Sequence, residues 1–309
     1  MHPALSVLFF TTLSGAGYGL WLWLGLRIAF GPRAYDFEPI AWFFALLIGF
    51  VLTTVGIVAS LWHLGKPMRV WRAFSQWRSS WMSREGVMAL AALGAALLLV
   101  LPLGGPDGVW WRIRGALLAL CALGTVVSTA MIYASLKPIP AWRHRLVVPG
   151  YLGFALLTGG LLYAAIAPPL PVLRFALPVL LVLALAMAAL KLAYWRAIDA
   201  MPLPQTRGEA VGLPGRTVSL FERPHTEANY ITREMGFEVA RRHARVLRLA
   251  AVLLFAVVPL LLLGIAALLP SSGGSLPWLA AAAVSATAGA FVERWLFFAQ
   301  ARHMVSLYY

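Results

Sequence analysis

The chain has 309 residues, 61% of them hydrophobic and 12% charged. A soluble globular chain carries about 25% charged residues, so the composition excludes a water-soluble domain and points to a polytopic membrane protein. The net charge of +14 raises nucleic acid as a partner, but the basic residues sit in loops between apolar segments and not in a patch on a solvated domain, which excludes that reading.

A bilayer core takes roughly 20 apolar residues per helix, and eight stretches qualify. They are Leu5–Ile28, Ile40–Trp62, Val87–Leu103, Val109–Leu136, Leu146–Ala167, Leu170–Trp195, Val246–Leu269 and Leu276–Phe298. Unpaired backbone is not tolerated in hydrocarbon and no stretch alternates as a barrel strand does. The expected fold is therefore all-α: one integral membrane domain over 1–309, an eight-transmembrane-helix bundle. The first apolar run is of spanning length and only His2 precedes it, so a cleavable signal peptide is not expected. Cys121 is the single cysteine and lies within a span, which excludes disulfides, thiolate zinc and an iron–sulfur cluster in this chain.

The first helix carries Thr11-Thr12-Leu13-Ser14-Gly15-Ala16-Gly17-Tyr18-Gly19, and the fifth carries Leu157-Thr158-Gly159-Gly160. Small residues let membrane helices approach closely. The alternative is that both mark equivalent positions of a four-plus-four repeat around a site.

Between the second and third helices runs Leu61 to Gly86. His63 closes one span and Glu85 opens the next on the same side of the bilayer. Between them, Lys66, Arg69, Arg72, Arg78 and Arg84 interleave with Trp71, Phe74, Trp77 and Trp81. Taken singly, His63 reads as a solvated helix-end histidine and Glu85 as a carboxylate favoured by the helix dipole. Taken together across one aromatic, basic loop, they suit a lipid-soluble, proton-carrying redox molecule such as a quinol. Oxidation of a quinol releases two electrons and two protons, so its hydroxyl needs a hydrogen-bond acceptor near neutrality. His63 would hydrogen-bond and deprotonate the quinol, and Glu85 would relay the proton or stabilise charge. Lys66, Arg69 and Arg72 would hold the headgroup region or a partner, and Trp71 and Trp77 would wall the pocket.

The fourth helix stops at Pro138 and Pro140, and Trp142 and His144 then read as an anchor at headgroup level. The long polar connection, residues 197–244 between helices six and seven, starts Pro- and Gly-rich and ends in an expected helix from Ile231 to His243. Its length marks it as functional or as a linker, covering the rim of the site or docking a partner. In the last helix Glu293 and Arg294 lie within the apolar span, where ionisable residues are costly and face the bundle interior or each other. They form either a structural pair or part of a site.

Most of the 25 Lys and Arg residues fall on the side of His63 and Glu85, while Arg27, Arg33, Arg112, Arg114 and Arg174 fall on the other. By the positive-inside rule both termini and His63 lie at the cytoplasmic face. None of the six histidines lies well inside a span, so no haem is expected. A proton-coupled secondary transporter, with Glu293, Arg294 and Lys191 along a path, is the reading from another class. A purely structural anchor without a quinol site is the third.

The start Met1-His2-Pro3-Ala4-Leu5-Ser6-Val7 with Phe9 to Gly19, then His63-Leu64-Gly65-Lys66-Pro67 and Trp81-Met82-Ser83-Arg84-Glu85, resemble the dimethyl sulfoxide reductase membrane anchor family. So do Pro224-His225-Thr226, Arg233-Glu234-Met235-Gly236 and His303-Met304. The resemblance spans essentially the whole chain and is most specific at His63–Pro67. It implies a haem-free, eight-helix anchor in the bacterial cytoplasmic (inner) membrane that oxidises menaquinol or a related quinol. Electrons would pass to a four-cluster-type iron–sulfur subunit and on to a molybdopterin catalytic subunit. The family's quinol-site histidine and glutamate would fall on His63 and Glu85. The long connection departs from shorter versions of the family.

Overall fold

The computed structural model describes residues 3–31, 39–62, 66–101, 108–166, 170–219, 221–222, 227, 242–269 and 272–308. Among them every regular element is helical, and eight helices are long and apolar enough to cross a membrane. We number these α1 (Leu5–Phe30), α2 (Pro39–Leu61), α3 (Trp81–Val100), α4 (Val109–Ala134), α5 (Val147–Ala164), α6 (Leu170–Asp199), α7 (Ala244–Leu268) and α8 (Ser272–Ala299). The expected helix 231–243 lies outside the described residues as far as Arg241, and His63 lies outside them too.

One boundary moves enough to matter. Hydropathy starts the third span at Val87, whereas α3 starts six residues earlier, at Trp81. The polar turn Trp81–Gly86 is helical because Ser80 stays extended ahead of it and Arg84 ties the turn to the preceding loop. Glu85 therefore sits in the second turn of α3, within the bundle's end, and is not a first-turn residue at the dipole terminus.

The helices form two sets with the same pairings. In the first, α1 packs on α2 and α4, and α3 leans on α4; in the second, α5 packs on α6 and α8, and α7 leans on α8. The sets meet where α1 crosses α5. A Cβ built on Gly19 would overlap the Ala155 carbonyl, and one on Gly159 would overlap the Gly19 carbonyl carbon. The two backbones are in contact, which only glycine at both positions permits. Trp21 seals α1 to α2 by donating its indole N–H to the Leu46 carbonyl at 3.1 Å, and Trp23 donates to the Leu156 carbonyl of α5 at 3.0 Å.

Two helices depart from α geometry: α1 holds a π turn at Phe10–Ser14, and α7 holds one at Leu253–Val257. In the first, the hydroxyls of Thr11 and Ser14 bond back to the carbonyls of Val7 (2.8 Å) and Phe10 (2.6 Å). Such back-bonding loosens the regular ladder.

Trp142 corrects an expectation. It is 5% exposed and packs into the bundle instead of facing headgroups, donating its N–H to the Phe297 carbonyl at 3.0 Å and stacking on the Phe297 ring. The segment after α8 adds to the same end of the bundle: the Met304 N–H bonds the Pro138 carbonyl at 3.0 Å, and the Tyr308 hydroxyl bonds the Ala210 carbonyl at 3.0 Å. Ala210 ends a one-turn helix, Arg207–Ala210, closed by a Thr206–Glu209 capping box.

Candidate functional site

The basic, aromatic loop is shaped by Arg84. Its guanidinium lies over the Trp81 ring at 4.3 Å and donates to the carbonyls of Trp77 (3.0 Å) and Arg78 (2.6 Å), folding the loop onto the start of α3. The 3₁₀ turn Pro67–Phe74 ends on α3 as well, because Gly86 gives Phe74 its seat: a Cβ there would meet the Phe74 ring at 2.9 Å. The outer residues face away. Lys66, Arg69 and Arg72 are exposed, as are Trp71 (64%) and Trp77 (53%), with Arg72 over Trp71 and Arg78 over Trp77, each at 5.5 Å. Among the described residues these five form an external cationic and aromatic rim.

Glu85 turns inward. Its Oε1 accepts a hydrogen bond from the Thr129 hydroxyl of α4, and the same hydroxyl lies 3.0 Å from the Thr125 carbonyl one turn back. A hydroxyl has one proton for these two acceptors. Both bonds form at once when Glu85 carries a proton and donates it to Thr129, which then donates to Thr125. When Glu85 is ionised, Thr129 turns its proton to the carboxylate. Thr129 thus has one setting for each protonation state of Glu85.

Behind Thr129 lies an internal cavity of about 20 Å³, bounded among others by Thr12, Tyr18, Thr129, Tyr151 and Arg294. It has room for one water molecule with polar partners on several sides. The hydroxyls of Thr12 and Tyr151 are buried and meet no hydrogen-bond partner within the described chain. Of the residue pair singled out in the last span, Arg294 lines this same cavity. Glu293 is wholly buried between two cations, ion-paired to Lys191 of α6 and to Arg294 at 3.4 Å. Arg294 stands over the Tyr151 ring at 3.5 Å, and Lys191 over the Tyr194 ring at 4.2 Å. Tyr151 also stacks on Tyr133 of α4 at 5.9 Å. Lys191, Glu293 and Arg294 together carry one net positive charge inside the bundle.

Further out, Arg248 of α7 makes a two-pronged pair with Asp199 (2.5 and 2.8 Å) and also donates to Gln300 at 3.1 Å, beside a groove of about 250 Å³. His144 and His303 act locally. Each accepts a backbone N–H on Nδ1, from Leu146 at 3.2 Å and Val305 at 3.0 Å, and burial holds both below the ordinary imidazole range. Among the described residues no three His, Cys, Asp or Glu come together as metal ligands.

Glu85, Glu293 and Arg294 are thus gathered at one end of the bundle, while Lys66, Arg69, Arg72, Trp71 and Trp77 stand outside it and His63 lies outside the described residues. Thr129 and Tyr151 were not foreseen from the sequence, whereas Thr12 and Tyr18 belong to the small-residue stretch read as close packing or as one half of a repeat around a site. The only signal of the first two is polar side chains at helical spacing in apolar spans, such as Thr125 and Thr129, which two unrelated packing arrangements would produce equally well.

The profile of the family described as DMSO reductase anchor subunit (DmsC) matches residues 1–300. Among curated proteins, a sulfite dehydrogenase subunit of Allochromatium vinosum is 34% identical over 329 aligned residues, covering 100% of this chain and 99% of that protein.

Proposed function

This chain belongs to the DMSO reductase anchor subunit family and is a membrane anchor subunit of a DMSO-reductase-type molybdoenzyme complex; from that premise we propose that it carries a quinol site centred on Glu85. The observation that carries the reading is the part-buried Glu85–Thr129 bond at the end of the bundle, beneath a cationic, aromatic rim. Oxidation of a quinol gives a quinone, two electrons and two protons. Glu85, ionised, takes one proton from a quinol hydroxyl, and Thr129 swings from the carboxylate to the Thr125 carbonyl as it arrives. His63, two residues beyond Leu61 of α2, hydrogen-bonds the other hydroxyl on the proposed path and takes the second proton. The electrons leave to an iron–sulfur subunit docked on the rim of Lys66, Arg69, Arg72, Trp71 and Trp77, which feeds a molybdopterin catalytic subunit. This chain's contribution is to bind, orient and move protons. Menaquinol is the proposed substrate, and the Glu85 face is proposed as cytoplasmic from the distribution of basic residues.

One observation favours the opposite direction of flow. The relative from Allochromatium vinosum is named as a sulfite dehydrogenase subunit. A dehydrogenase complex would deliver electrons to the membrane, and the same residues would then protonate a quinone as it is reduced. The experiment is Glu85→Gln in the assembled complex, assayed with quinol, with quinone and with an artificial dye acting on the catalytic subunits. Quinol- or quinone-linked turnover should fall at least about 100-fold, the scale of a lost general base, with dye activity and assembly retained. Unchanged turnover in both directions would refute the site, and the faster direction in the wild type identifies the physiological one.

A further inference from the structure

On the outer surface of the bundle, where α8 meets α1 and α2, runs an apolar groove of about 600 Å³. It is within the range of ligand sites, which are commonly 300–1,000 Å³ and mostly apolar. Phe9 and Phe291 meet at one end with ring centroids 5.2 Å apart, and Ala283, Val284 and Ala288 line it along α8. From residue 283 to 292 the groove follows α8 for about 13 Å at the rise of an α-helix.

Two walls of this groove have another side. Thr12 and Ala16 also bound the internal cavity that Thr129 lines, and Thr129 holds Glu85. The groove and the inner cavity are thus separated by little more than one face of α1. That face is where α1 gives up its α-helical ladder for the π turn Phe10–Ser14, and π turns recur at functional sites. Two hydroxyl side chains border the groove. Thr287 donates to the Ala283 carbonyl at 2.7 Å, whereas Thr12, 5% exposed, has no hydrogen-bond partner within the described chain.

We infer that the α1–α8 groove is the binding site for the isoprenoid tail of the quinol, whose head end reaches the Glu85 site when α1 and α8 part at Thr12 and Ala16. The inference rests on the quinol reading of Glu85. It adds a place for the part of the substrate that does no chemistry and a side of the bundle from which it arrives. An isoprenoid chain, apolar throughout and tethered to a polar head, matches an apolar groove whose one unsatisfied hydroxyl lies at its border with the polar interior.

Ala288 and Val284 are exposed on the groove, so larger side chains there fill it without crowding the core. The test places Ala288→Phe and Val284→Trp separately in the full complex and measures KM for a long-tailed isoprenoid quinol and for a tail-less quinol with the same ring. The ratio of the two KM values should shift at least about tenfold against the long-tailed quinol, the discrimination that one or two buried methylene groups supply. A photoreactive group at the tail end of the long quinol should label residues of α1 or α8. An unchanged ratio, an equal rise in both KM values, or labelling confined to α3 and α4 would overturn the groove and leave it a crevice filled by phospholipid acyl chains. A variant that fails to assemble leaves no dye activity on the membrane and is replaced by Ala288→Leu, to which the same ratio applies. Failure of the underlying reading is separate: it appears as a wild type that turns over neither quinol, or as Glu85→Gln that turns over both.

Discussion

Replacing Glu293 by Gln puts the buried charge cluster to a direct test. The carboxylate is wholly buried between Lys191 and Arg294, each about 4% exposed, so its loss leaves two cations facing one another without an anion. Removing one partner of a buried ion pair costs about 3–5 kcal/mol, which is the destabilisation expected for Glu293→Gln. The double variant Lys191→Met/Glu293→Gln removes the stranded ammonium as well. Arg294 then keeps its place over the Tyr151 ring at 3.5 Å, a contact worth about 2 kcal/mol when desolvated, and an apolar replacement of a buried pair is often close to neutral. The double variant should therefore be more stable than Glu293→Gln alone by at least about 2 kcal/mol. The assay is denaturant-induced unfolding of the purified chain in detergent, followed by tryptophan fluorescence, for wild type, both single variants and the double. Simple additivity, with the double worse than either single, would refute the reasoning and show that Lys191 is stabilised by something other than Glu293.

Gly19→Val should abolish accumulation of folded protein, because its Cβ would overlap the Ala155 carbonyl and overpacking costs of about 1–3 kcal/mol are a lower bound for a backbone clash. Size-exclusion profiles of a fluorescent fusion would show it, and a wild-type profile would contradict the backbone crossing. Burial holds His144 below its ordinary range, helped by Arg145 and Lys191, so the unfolded chain binds its proton first. Stability linked to it is complete above the ordinary imidazole value and is lost as pH falls from there towards the lower folded value. His144→Asn keeps an acceptor for the Leu146 N–H and cannot titrate. Its thermal unfolding should lose part of the acid dependence that the wild type shows between about pH 7 and pH 5, and an identical profile would dismiss His144 as the titrating group.

The helices were legible because a bilayer asks only for length and apolarity, and all eight spans stand in the structure. The third span shows where that signal fails. Trp81–Gly86 is helical for reasons hydropathy does not see, an extended Ser80 and an arginine bonded to loop carbonyls. Small residues in Gly15–Gly19 and Gly159–Gly160 announced a close approach, but composition left open which helix each would meet. Glu293 and Arg294 were correctly expected to face the interior. The link of Arg294 to Thr129 through a shared cavity depends on the register between α4, α5 and α8, which no single helix encodes. Trp142 was misplaced because an indole after a proline-stopped span looks the same whether it anchors in headgroups or folds back onto its neighbour.

The contacts made by residues 304–308 bear on the timing of biogenesis. Met304 closes on Pro138 and Tyr308 on Ala210, so this short segment fastens two connections that leave the ribosome well before it does. The layer at that end of the protein is therefore finished last, after every span has been made. A subunit that grips all three pieces at once would recognise only anchors whose translation has passed α8, a built-in safeguard against capturing nascent chains.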